Sequence, residues 1–591
     1  MQITFARRIL LVPTACLGSL PAIAAQTPTT PPSQGNQVEA ALPAEAWLYA
    51  HVGDLARVRE IAQRNAWADL FQDEQVRPFF EGLTDEVLAE ATAGLAPDAP
   101  ERTLLDARAW WLGLESGAFW MSGQPPQESN LKGGALFQFN AAGQGIAEAL
   151  AATMRAHLTP AADPISSGPT AEILSWHPQA GETGSTTTTF RAGNVVGIHF
   201  ANSRPVALEL ARDAQSRLAA PALDPRANQW LSLARGSDWE GHGFEIGVDL
   251  ATVLAGLPQE PELQRFLDVS GLGSSRYVWL GGSLCPGECL NGTFAIDLPE
   301  RGVAADAAKL FGVAPRAWLD WMPADATGIS LGSVDIAGAW DLFWRVFGEQ
   351  DPAEHDEVRT RYDGFTGSLG FDFESDLVRQ FDGRFASFTA AVPADELPTY
   401  LLEEFKSLLP SDNQQGVLWM VGLKDPTRVQ ELLERLLEQF GAGAEITNAK
   451  HAGAWIESVS FEGFEFHWSF TKEAWIASFS PSLIRGTLER MQDPALPDVR
   501  SQTRLMQGLD ATPNAAYVSV ADSAATLRAQ FEALGSMGSL LGMFGSNADL
   551  EHMLSNAPAP KPEAAPRHLK GWTSATLEIE GRRLAIRTRS R

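Results

Sequence analysis

Two short stretches of this chain carry residue types at spacings that could do chemistry. One is Cys285-Pro286-Gly287-Glu288-Cys289, two thiols with three residues between them. Pro-Gly forms turns and apolar alternating segments flank it, so the sulfurs are expected to face each other across a hairpin loop. A structural disulfide fits that spacing. A redox-active pair favours Cys-x-x-Cys, and a zinc site needs two further ligands, for which no histidine lies nearby in sequence. The other stretch is Asp372, Glu374 and Asp376, followed by Asp382-Gly383. Alternating carboxylates can chelate calcium, but the spaced ligand set and turn glycine of an EF-hand are missing. The matching place earlier in the chain has only Glu115 before Gly117. A strand end, a short helix and a turn at Gly383 are the plainer expectation.

Elsewhere the catalytic repertoire is thin. The ten histidines are scattered singly, without the His-x-His or His-x-x-x-His spacings that place two imidazoles on one metal. The sequence has no Gly-x-Ser-x-Gly elbow, phosphate-binding loop or dinucleotide glycine fingerprint. A triad assembled from distant residues stays open. No catalytic, metal-binding or cofactor-binding residue is assigned, and no cofactor is expected. Residues 534–554 set Met537, Met543, Phe544 and Met553 among glycines and serines. They read as a loosely packed core helix or, more sharply, as a mobile flap over an apolar ligand.

The elements that would position any site repeat in order. Asp54 follows an apolar alternating stretch at 47–52, and Asp335 follows a similar one at 329–334. In the same way Asn140 is matched by Asp425, Ser203 by Ser480, and Asp249 by Asp522. The shift is about 280 positions each time, a period that means duplicated domains and not a solenoid of short repeats. All eight residues accept hydrogen bonds readily and precede helical patterns, so their expected role is helix capping. Pro426 and Pro481 stand in the first helical turn, where a missing N–H costs least. Val429, Leu432, Leu433 and Leu436 then form one apolar face. Hairpin signals between the units, at Gly193-Asn194 and at Thr471-Lys472-Glu473, complete the pattern. The expected fold is α+β: two tandem homologous modules, each a mostly antiparallel or mixed sheet with helices packed on one face. Module 1 spans 43–310 and module 2 spans 311–591.

The ends and composition set the context. Residues 1–25 have the plan of an export signal, with Arg7 and Arg8, a short apolar stretch and Ala22-Ile23-Ala24 before cleavage near Ala24/Ala25. The paired arginines also permit twin-arginine export, and Cys16 is expected to leave with the signal. Residues 26–42 read as a flexible Pro/Thr-rich leader, and 556–566 as a disordered Pro/Ala-rich loop. No segment has the roughly 20 continuous apolar residues of a spanning helix. A net charge of −28 over 591 residues repels polyphosphate, which argues against nucleic acid as a partner. Eighteen Trp against five Tyr is unusual; Trp47, Trp279, Trp340, Trp344, Trp419 and Trp475 are expected to fill cores before serving as ligand platforms.

The segment Gly370-Phe371-Asp372-Phe373-Glu374-Ser375-Asp376-Leu377, with Gly383 and an apolar strand after it, resembles the signature of an uncharacterised family of exported bacterial proteins. Like those proteins, each half opens with Pro, an acid and an apolar strand ending at Asp. The resemblance is clearest in the second half; the first lacks the two aspartates. It implies a duplicated α+β exported protein and transfers no active site. The function expected on all these grounds is non-enzymatic binding of a ligand or another envelope component. A carrier of an apolar or lipid-like molecule and a hydrolase with an unrecognised site are the alternatives.

Overall fold

The computed structural model describes residues 37–591 apart from 44, 80, 83–91, 93–94, 97–98, 124–130, 158, 161–164, 167–170, 178–185, 220–228, 237, 239–241, 258–259, 288–289, 369, 394–395, 397–414, 441–444, 462–463, 529 and 532–559. Residues 1–25, read above as an export signal, and the Met-rich segment 534–554 therefore lie outside the described residues. The chain is α+β and divides into two compact units. Unit 1 holds the described residues within Met1–Gln259, Ser275–Asp297 and Gly538–Leu569; unit 2 holds those within Glu260–Ser274, Leu298–Met537 and Lys570–Arg591.

In unit 1 the strands are β1 (Leu48–Gly53), β2 (Leu114–Ser122), β3 (Lys132–Phe139), β4 (Thr159–Pro160), β5 (Ile165–Ser166), β6 (Ala171–His177), β7 (Thr186–Ala192), β8 (Val195–Ala201), β9 (Gly243–Asp249), β10 (Tyr277–Leu284) and β11 (Leu290–Asp297). Their antiparallel pairings run β11-β10-β9-β1-β2-β3-β8-β7-β6, with β4 and β5 both on β6. In unit 2 they are β12 (Gly328–Ser333), β13 (Phe381–Ala391), β14 (Gln415–Leu423), β15 (Glu445–His451), β16 (Ala454–Phe461), β17 (Phe464–Phe470), β18 (Ala474–Ser478), β19 (Tyr517–Asp522), β20 (Trp572–Glu580) and β21 (Arg583–Ser590). Here the order is β21-β20-β19-β12-β13-β14-β18-β17-β16-β15, again antiparallel throughout. Read strand by strand, the two orders coincide.

Strand alternation sends one face of each sheet into a core. In unit 1 Tyr49, Trp120, Leu136, Val195 and Trp279 pack with Ala211, Ala214 and Leu231 from the helices Arg204–Ala219 and Gln229–Arg235. In unit 2 Ile329, Leu331, Phe388, Leu418, Met420 and Ile476 pack with Ile484 and Leu488 of the helix Pro481–Gln492 and Leu505 and Leu509 of Thr503–Asp510. Large rings fit because glycine lies beside them. A β-carbon on Gly197 would stand 2.2 Å from the Phe190 ring, and one on Gly134 2.7 Å from Trp120.

Helices are expected on one side only, but each unit also carries at least one on the other. Ile146 and Leu150 of Gln144–His157 pack on Phe137, Phe139, Val196 and Ile198, which alternate with the core-facing Leu136 and Val195. Gln430 of Pro426–Phe440 bonds Glu457, which alternates with the core-facing Ile456.

Two segments read as flexible are ordered in part. Residues 37–40 of the leader form a helical turn that buries Val38, with Ala41 and Leu42 buried behind it. Residues 562–568 make a short helical stretch beginning at Pro562. Its His568 bonds Asp73 at 2.9 Å, so an ion pair and a proline start outweigh the low-complexity composition.

Candidate functional site

The capping residues come first, because they fix the helices. Asp54 accepts the Arg57 N–H (2.9 Å), Asp249 that of Thr252 (3.3 Å) and Asp335 that of Gly338 (2.9 Å). Asp425 accepts from Arg428 (3.1 Å) and Asp522 from Ala525 (2.9 Å). Asn140 caps a 3-10 turn, accepting from Ala142 and Gly143. The Ser203 carbonyl accepts the Ala207 N–H at the start of its helix. Ser480 departs from expectation. It holds the N-cap position, but its side chain makes no cap bond; the carboxylate of Glu396 accepts the Ser482 N–H (3.0 Å) and the Ser480 hydroxyl instead. Spread along the strand ends, these carboxylates do not converge.

The acidic cluster is likewise consumed locally. Asp372 caps Phe373–Asp376 by accepting from Glu374 (3.0 Å) and Ser375 (3.2 Å). Asp376 accepts the Asp372 N–H and pairs with Arg428; Glu374 pairs with Arg379, and Asp382 with Arg384. Gly383 holds φ +90°, and a β-carbon there would lie 2.8 Å from the Val334 carbonyl oxygen. The two aspartates thus shape the 372–376 turn, and the glycine lies at an irregularity in β13. Among the described residues, no group of three His, Cys, Asp or Glu is placed to hold a metal ion. Cys285 directly follows β10, while Cys289 lies outside the described residues.

Unit 1 contains a buried ionic network that the sequence reading missed. Glu245 on β9 faces His51 on β1. The Glu245 carboxylate lies 3.1 Å from His51 Nδ1, accepts Trp279 Nε1–H (3.0 Å) and Arg235 Nε–H (2.8 Å), and Arg235 reaches on to Glu39. Burial alone would raise the Glu245 pKa, but the bonds from His51 and Arg235 hold it below the usual value. With His51 and Glu245 sealed from solvent, this network does not present chemistry to a substrate. A second polar pair, Ser458 Oγ and His467 Nδ1 at 2.7 Å, has nucleophile-and-base composition. The imidazole is buried on the sheet's core face, and Glu465 stands 3.7 Å from its other nitrogen, too long for an orienting bond.

What unit 2 does present is an apolar groove. Val303 of the helix Val303–Lys309 and the following Leu310 form one wall. Ala339, Leu342, Phe343, Val346 and Phe347 of the helix Ile336–Gln350 form the other, enclosing about 390 Å³. The walls are tied where the Asp335 N–H donates to the Leu310 carbonyl (2.7 Å). Gly338 permits that approach, since a β-carbon on it would meet Leu310 at 2.8 Å. Asp306 links the two wall helices, pairing with Lys309 on its own helix (2.8 Å) and with Arg345 opposite. The Lys309 and Arg345 bonds hold the Asp306 carboxyl below its ordinary pKa.

The far side of Ile336–Gln350 is occupied by an aromatic stack. Trp340 and Trp344 lie 5.7 and 5.5 Å from Tyr362 on the helix Pro352–Ser368, and the Arg359 guanidinium sits 4.7 Å over Trp344. The indole N–H groups of Trp340 and Trp344 and the Tyr362 hydroxyl are buried without hydrogen-bond partners. Phe343 remains 55% exposed, as does Phe365, and Phe266 of the adjoining helix Pro261–Ser270 is 54% exposed. A signal for this was present: apolar residues lie almost all round 336–347, a pattern otherwise confined to buried helices.

A scan against family models and searches of curated proteins and solved structures find no match to this chain.

Proposed function

We propose that this is an exported, non-enzymatic binding protein that holds an apolar molecule in the groove between Val303–Lys309 and Ile336–Gln350. The observation that carries the reading is a concave place lined only by apolar side chains, with Phe343 left 55% exposed in it. Ligand sites are typically concave and mostly apolar. In this reading the two units descend from one duplicated ancestor, and unit 2 has gained the ligand role. The coincident strand orders and the paired capping positions support the duplication. Export is supported by the residue pattern of 1–25, and a Cys285–Cys289 disulfide would accord with an oxidising compartment. Thiol titration of the unfolded, unreduced mature protein should find no free cysteine.

The test is titration with the neutral dye N-phenyl-1-naphthylamine. Wild-type protein should enhance its fluorescence saturably, and Phe343→Asp should weaken binding at least about tenfold. Absence of enhancement, or enhancement unchanged in the variant, would remove the groove from the account.

A further inference from the structure

Resting on the groove reading, we infer that the ligand is a long-chain carboxylate, its chain along the groove and its head at the Lys309–Asp306–Arg345 rim. The side chains lining the groove are all hydrocarbon, so they recognise length and apolarity. Discrimination must come from the rim. There two cations, Lys309 and Arg345, share the single carboxylate of Asp306. Asp306 stands three residues after the wall residue Val303, and Arg345 three after Leu342, so their ion pair links the two walls one helical turn from lining side chains. Both side chains are at least half exposed and can turn toward a second anion without being dragged from a core. Arginine offers a planar fork suited to carboxylate, and Asp306 already orients it. An anionic head would complete the pairing of two cations with two anions; a cationic head would meet repulsion from both.

Calorimetry on the full mature chain with dodecanoate, dodecanol and dodecyltrimethylammonium, each below its micellar concentration, tests this. Dodecanoate should bind about two- to fivefold more tightly than dodecanol, the size expected of a partly exposed ion pair, and the ammonium should bind most weakly. Lys309→Gln with Arg345→Gln should erase the preference for dodecanoate while dodecanol binding persists. Leu342→Asp should abolish both. Equal binding of dodecanoate and dodecanol by wild type would overturn the carboxylate inference and leave the groove standing. Binding of neither would overturn the groove itself. Tighter binding of dodecyl sulfate or dodecyl phosphate than of dodecanoate would assign the head to another anion and contradict the inference as stated.

Discussion

Nδ1 of His51 lies 3.1 Å from Oε1 of Glu245 inside unit 1, whereas Leu331 faces Val518 at the equivalent place in unit 2. The equivalence follows from the caps, since Glu245 and Val518 each stand four residues before the aspartate that starts the next helix. One sheet position is thus filled by charge in one unit and by hydrocarbon in the other. Removing one partner of a buried pair strands the rest, so Glu245→Gln should cost about 3–5 kcal/mol in chemical denaturation. The Glu245 pKa is depressed on folding, so its stabilisation is present above the unfolded value of 4.5 and fades as pH falls through the folded value. The variant should lose that acid dependence. A cost below about 1 kcal/mol would show the network to be incidental.

His199 gives a second, separate pH dependence. Its ring stacks on Phe190 and meets the edge of Trp120 with both nitrogens unpartnered, and burial lowers its pKa from 6.5 to about 3. Between those values the unfolded chain binds the proton and the folded chain does not. Stability from this residue is therefore full above pH 6.5 and falls by about 1.4 kcal/mol per pH unit down to about 3. His199→Phe should flatten the profile in that window. An unchanged slope would mean that the imidazole is protonated in place.

Glu457 should behave in the opposite sense. Burial, with help from Glu434, raises its pKa despite bonds from Trp468 and Gln430. A raised carboxyl favours the fold below the unfolded value of 4.5, and that contribution is lost as pH rises through the folded value. Glu457→Gln keeps the shape without the charge. It should be more stable than wild type at pH 8, with the advantage disappearing toward pH 4.

For the capping aspartates the discriminating comparison is Asp335→Ala against Asp335→Asn. Loss of the bond to the Gly338 N–H should cost about 1 kcal/mol in the alanine variant, and asparagine should restore most of it. If asparagine were as damaging as alanine, the carboxylate charge would have a role beyond starting the helix.

Much of the scaffold was legible because its signals are local. Asp54, Asp249, Asp335, Asp425 and Asp522 bond N–H groups three residues on, which a short window of sequence can reveal. Ser480 was misread because the carboxylate that serves its helix belongs to Glu396, far away in sequence. The His51–Glu245 pair was hidden by phase. Alternation in Phe244, Ile246 and Val248 gives the period of a strand but not which face turns inward, and the inward face holds Glu245 and Gly247. The groove was half legible: apolar residues lie almost all round 336–347, but sequence alone supplies no partner surface and so no measure of exposure.

Hydrogen exchange with and without dodecanoate locates the ligand most directly. Amides in 303–310 and 336–347 should exchange more slowly in its presence, with the His51–Glu245 region of unit 1 unchanged. Protection confined to other segments, or none at saturating ligand, would contradict the account.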